Sequence, residues 1–109
     1  MANATSVVVV KDGREQFQGV FDKVYEVRAT IDVDSLTTGT NDADTVTVPG
    51  VALGDMVIGC SLGVSLAGVQ ATAYVSAADT VTVVFNNITA GTVNLASTTI
   101  KLVIGRPGF

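Results

Sequence analysis

Four aspartates and an asparagine gather along one stretch of this 109-residue chain: Asp32, Asp34, Asn41, Asp42 and Asp44. Oxygen ligands at short spacing are what Ca²⁺ requires. The stretch does not match the EF-hand loop, and no glutamate follows to supply a bidentate ligand. Asp, Asn, Gly and Thr are equally the residues of solvated turns. Loop solvation is the expected role of these side chains, and a structural Ca²⁺ site held by Asp32, Asp34, Asp42 and Asp44 is the alternative.

Other chemistry is limited by what the chain lacks. There is no histidine. That removes Ser-His-Asp and Cys-His nucleophile activation, imidazole acid–base catalysis and every histidine-containing zinc site. The one cysteine, Cys60, can form no internal disulfide. It sits in the apolar segment MVIGCSL with no basic neighbour to depress its pKa, so a small buried hydrophobe is expected. The phosphate-binding patterns GxGxxG and GxxxxGK[ST] are missing, and the glycines at 50, 54, 59, 63 and 68 are spaced as strand breaks. With no constellation of titratable groups suited to catalysis, a protein with no enzymatic activity and no cofactor is expected.

Charge narrows the partners. Six basic and ten acidic residues give a net charge of −4, and the basic residues are scattered. Nucleic-acid binding calls for clustered Lys and Arg to displace counterions, so none is expected. No run approaches the roughly 20 apolar residues of a membrane helix. The first apolar run precedes the first basic residue, Lys11, the reverse of a secretory signal, so synthesis in a cytoplasm is expected. Only 15% of residues are charged against 48% hydrophobic. A surface so weakly charged suits coverage by another protein, since an ordinary domain carries roughly 25% charged residues.

The elements that position these residues are strands. Polar and apolar residues alternate from Val69 to Ile104, and a period of two marks a strand with one face in a core. Val81, Val83 and Phe85 share one face, as do Ile100, Leu102 and Ile104. Asp22 to Asp34 is the clearest strand: Tyr25, Val27, Ala29, Ile31 and Val33 face one way and Glu26, Arg28, Thr30 and Asp32 the other. Ser35 to Asp44 reads as a loop. Thr45 to Val48 is a short strand ended by Pro49-Gly50, which favours a type II turn. Met56 to Leu62 follows, with Gly59 and Gly63 marking a bulge or a close backbone approach. Val69–Ser76, Thr80–Asn86 and Thr98–Gly105 complete six to eight short strands. The sequence thus predicts an all-β protein: one antiparallel β-sandwich or jelly-roll-like domain over residues 23–109, preceded by residues 1–22 as an extended N-terminal arm or edge strand. In that N-terminal segment Val7, Val8, Val9 and Val10 form an unalternating β-branched run. It is either an arm that pairs with a neighbouring subunit or lies across its own sheet, or an ordinary first edge strand. Phe17 and Phe21 beside it are candidate anchors for a neighbour, with core packing as the alternative. Tyr74 and Phe109 are the aromatics that exposure could turn into a sugar platform.

Residues 75–104, VSAADTVTVVFNNITAGTVNLASTTIKLVI, resemble a recurrent module of tailed-bacteriophage virion proteins. The likeness lies in the Val-Ser-Ala-Ala lead-in, the Thr-Val-Thr-Val strand with Phe85, the Asn87-x-Thr89-Ala90-Gly91 turn, the link through Asn94 and the closing β-branched strand. TVTVPGVALGDMV, residues 45–57, also fits. Together these segments cover about half the chain; they are framework residues and name no active site. The resemblance implies a structural role as a small head protein, foremost a capsid decoration (cement) protein on the outer surface of an icosahedral head. Its expected partners are the major capsid protein and further copies of itself, with a trimer as the first expectation. A host-recognition or carbohydrate-binding domain of a fibre or spike, or another head or tail component, is the alternative.

Overall fold

The computed structural model describes residues 3–4, 6–12 and 21–108. Among them every regular element is a strand, and no helix is long and apolar enough to cross a membrane. The strands are β1 (Asn3–Ala4), β2 (Ser6–Asp12), β3 (Phe21–Ile31), β4 (Asn41–Thr47), β5 (Met56–Leu62), β6 (Gln70–Ala77), β7 (Thr80–Asn86) and β8 (Thr98–Pro107). They form sheet I, in the order β2-β3-β8-β5, and sheet II, in the order β1-β4-β7-β6. Each sheet is built on three antiparallel strands, β3-β8-β5 and β4-β7-β6. The N-terminal strands are added outside them: β2 antiparallel to β3, and β1 parallel to β4.

The expected sandwich follows from the alternation. Tyr25, Val27, Ala29 and Ile31 of β3 and Ile100, Leu102 and Ile104 of β8 point inward from sheet I. Val46 of β4 and Val81, Val83 and Phe85 of β7 meet them from sheet II, each fully buried. Burying one such side chain contributes about 1.5–3 kcal/mol, so these alternating residues hold the two sheets face to face.

The strand pairing is nested. β3 pairs with β8, and between them in sequence β4 pairs with β7. Every connection from β3 through β6 therefore passes from one sheet to the other, and β7 to β8 passes back. At one end the β3–β4 and β7–β8 crossovers are joined by two 2.8 Å backbone hydrogen bonds between Leu36 and Val93. Asn87 is buried beneath them. Its Nδ2 donates to the carbonyls of Leu36 (2.8 Å) and Gly91 (2.9 Å), and its Oδ1 accepts from the amide and hydroxyl of Thr89.

At the other end, Gly50 follows Pro49 with φ +98°, the conformation that a type II turn demands of its third residue. Asp79, in the tight β6–β7 turn, takes φ +61°. Its Oδ1 accepts from the Gly50 amide at 2.9 Å, and its main chain bonds Val48 and Val51. The β4–β5 crossover is thereby clamped to the β6–β7 hairpin.

The largest departure from the sequence reading is at β4, while β3 ends at Ile31 rather than Asp34 and β8 runs on to Pro107. Ser35–Asp44 is not all loop, because β4 already begins at Asn41. Asp42 and Asp44 occupy the inward positions that continue from Val46, and two aspartates there hide the alternation. The bulge expected at Gly59 is present, since the register of β5 with β8 shifts between Val57 and Gly59; Gly63, just past β5, is close-packed against a side chain instead, where a Cβ would come within 2.7 Å of Thr98 Oγ1.

Candidate interaction surface

The four aspartates do not form a ligand set. Among the described residues no three acidic or thiol groups converge as a metal site would require. Asp32 and Asp34 are exposed, Asp42 Oδ2 accepts a 3.3 Å hydrogen bond from the Asp34 amide, and Asp44 is buried opposite Val83. The strand geometry of β4 turns Asp44 under the sheet, whereas Asp32 stays outside. Cys60 is half-buried against the core, and burial pushes its thiol up from the ordinary value. Such a thiol is a poor nucleophile.

Within the chain the valine run forms a strand of sheet I. Val7, Val8, Val9 and Val10 lie in β2, in register with Arg28, Val27, Glu26 and Tyr25 of β3. Val8 packs against the core. No described strand pairs with the outer side of β2. Phe21, at the start of β3, covers Gly105: a Cβ there would meet the ring at 2.6 Å. This aromatic packs on its own sheet. Phe17 and Phe109 lie outside the described residues.

The densest polar cluster is built for stability. Arg106 donates from Nε and Nη2 to the two carboxylate oxygens of Asp55, at 3.0 and 2.9 Å, and from Nη2 to the Gly50 carbonyl at 2.8 Å. Its guanidinium lies 6.0 Å from the centre of the Tyr25 ring, whose hydroxyl donates to the same carbonyl. Burial raises the Asp55 carboxyl, but the Arg106 hydrogen bond, the Ala52 amide and the Arg106 charge together outweigh it and hold it below its ordinary value. Every group in this cluster has a partner in the turn it braces, so it presents no reactive atom.

What remains open is surface. On the outer face of sheet II, β4 presents Ala43, Thr45 and Thr47, β7 presents Thr80, Val84 and Asn86 with Thr82 buried between them, and β6 presents Gln70, Thr72, Tyr74 and Ser76. No Lys, Arg, Asp or Glu stands among them. The outer face of sheet I is different, with Glu26, Arg28 and Lys101 exposed. Five large apolar side chains are exposed among the described residues: Leu53, Met56, Ile58, Tyr74 and Ile88. Four of them sit on or beside β5 and β6, the edge strands that meet along one side of the sandwich. Met56 and Ile58 face outward from sheet I and Tyr74 from sheet II, so the apolar residues flank this edge on both faces of the sandwich.

Sequence reasoning named Tyr74 as an aromatic that could be exposed, which it is, but passed over Leu53, Met56 and Ile58. The available signal was GlyAsp after Leu53: Gly54 takes φ +99° in a tight turn and leaves Leu53 at its tip. No family model, curated protein or solved structure matches this chain.

Proposed function

We propose that this chain is a capsid decoration protein: a non-enzymatic virion component that binds the outer surface of an icosahedral phage head and bridges neighbouring major capsid subunits. The observation that carries the reading is the distribution of open surface. Sheet I ends in β2 on one side and β5 on the other. Leu53, Met56, Ile58 and Tyr74 stand exposed on or beside the edge strands β5 and β6, and the outer face of sheet II, which carries Tyr74, has no charged residue.

A bridging protein needs two attachment surfaces that face apart, and the two sides of the sandwich supply them. The outer side of β2 offers main-chain groups to an added strand, a mode of binding that asks little of the partner's sequence. The β5–β6 side offers apolar contact that excludes water. Many copies, each weakly held, reinforce a shell collectively. The nested strand order fits jelly-roll-like winding, and the resemblance of residues 75–104 to phage head proteins adds support. Copies joined side to side around an axis would close as a trimer.

The test is occupancy of particles. Purified protein carrying Ile58→Lys is added to shells that lack the native protein. Bound copies are counted beside the unchanged chain. The proposal expects occupancy to fall at least about tenfold, the effect of losing one well-buried apolar contact at an interface. Equal occupancy of both proteins would refute docking through β5.

A further inference from the structure

The outer face of sheet I holds a half-open hollow of about 440 Å³, lined by Arg28, Ser61, Leu62, Gly63, Thr98, Thr99 and Lys101. Its two cations stand directly opposite each other, since Arg28 on β3 pairs with Lys101 on β8. Ser61 on β5 completes the same row across the sheet. Like charges facing each other across a ladder are destabilising. The chain has ten acidic residues against six basic ones, and no carboxylate lines this hollow. The nearest acid on the same strand face, Glu26, lies opposite Val103, one row away. The ion pair formed among the described residues is that of Arg106 with Asp55, which leaves Arg28 and Lys101 without one there.

We propose that this hollow binds a tetrahedral oxyanion, a phosphate or sulfate group. The chemistry of the lining fits that group in each part. A guanidinium presents a planar fork of N–H donors that matches two oxygens of such an anion, and an ammonium adds a compact charge beside it. The hydroxyls of Ser61 and Thr99, on the same outward face as Arg28 and Lys101, supply neutral donors for the remaining oxygens. Gly63 keeps the floor open, because a Cβ there would press within 2.7 Å of Thr98 Oγ1. An anion seated between Arg28 and Lys101 converts their repulsion into two attractions.

This site lies at the end of β5 away from Met56 and Ile58 and does not depend on the decoration role. The test is titration of the full chain, labelled with ¹⁵N, with sodium phosphate, sodium sulfate and sodium acetate at one ionic strength. The expected result is saturable shifts of the Ser61, Gly63 and Thr99 amides with phosphate and sulfate, in the millimolar range. Acetate should shift them without saturation. Both charges are exposed, so the double variant Arg28→Gln/Lys101→Gln should keep the rest of the spectrum and bind at least about tenfold more weakly. Absence of saturation with phosphate and sulfate, or equal binding by the double variant, would overturn the proposal. Equal saturation by acetate would overturn the tetrahedral assignment.

Discussion

At the scale of single residues, the interactions that matter most join positions far apart in sequence. Asp55 and Arg106 are 51 residues apart, and the Asp55 side chain is only 4% exposed. Because its carboxyl titrates below the ordinary value, the pair's stabilisation is complete above the ordinary carboxylate range. It is lost as pH falls through the lower, folded value. Denaturant unfolding followed from about pH 7 down to about pH 2 should show this loss. Asp55→Asn should be less stable at neutral pH by about 2 kcal/mol and should lack that component of the acid transition. A variant with the same pH profile as the unchanged protein would contradict the assignment. Gly105 and Phe21 make a second test. Gly105→Ala forces the Phe21 ring to move and should cost about 1–3 kcal/mol. In a Phe21→Ala background the cost should nearly vanish, so a double-mutant cycle should give a clear coupling energy. Additive effects would mean that the ring does not cover that glycine. Neither partnership could be read from the chain, because an aspartate in a turn and a glycine in a strand carry no sign of their partners. Gly50 was different: Pro-Gly specifies its own turn.

At the scale of elements, period-two alternation located β3, β7 and β8 and identified their inward residues. It failed at the start of β4, where Asp42 and Asp44 take positions that apolar residues usually hold. For the valine run it left two roles open, since a β-branched stretch favours extended structure without naming the strand it pairs with. The ladder with β3 decides its place in the fold. It follows that deleting residues 1–10 removes most of β2, uncovers the edge of β3 and lowers the denaturation midpoint. Ile58→Lys, on an exposed bulge, should leave stability within about 0.5 kcal/mol. The crossovers give a sharper prediction. Asn87→Ala removes a buried side chain that serves four hydrogen-bonding groups, two of them crossover carbonyls. A loss of about 3 kcal/mol by chemical denaturation is expected. A loss under about 1 kcal/mol would show that the Leu36–Val93 bridge holds that end alone. Asn87 lies in the Asn-x-Thr-Ala-Gly turn that carried part of the phage resemblance, so that motif is a fold-closing device in this chain.

At the scale of the whole molecule, the sequence pointed away from catalysis and nucleic-acid binding and toward a β-sandwich with surface to be covered. It could not show where that surface lies. Exposure of Leu53, Met56, Ile58 and Tyr74 depends on which strands end up at sheet edges, and the nested crossovers decide that. The placing of the aspartates was hidden for the same reason, since spacing along the chain does not fix which side of a strand faces out: Asp44, expected in a solvated loop, is buried. If open sides join copies around an axis, sedimentation equilibrium should report a trimer, and a strict monomer at all concentrations would remove that element of the proposal. The decoration role itself is tested most directly by quantitative mass spectrometry of purified particles. The account predicts that the chain is present in a fixed ratio to the major capsid subunit, with copies of the same order. Its absence from particles, or a handful of copies per particle, would contradict it.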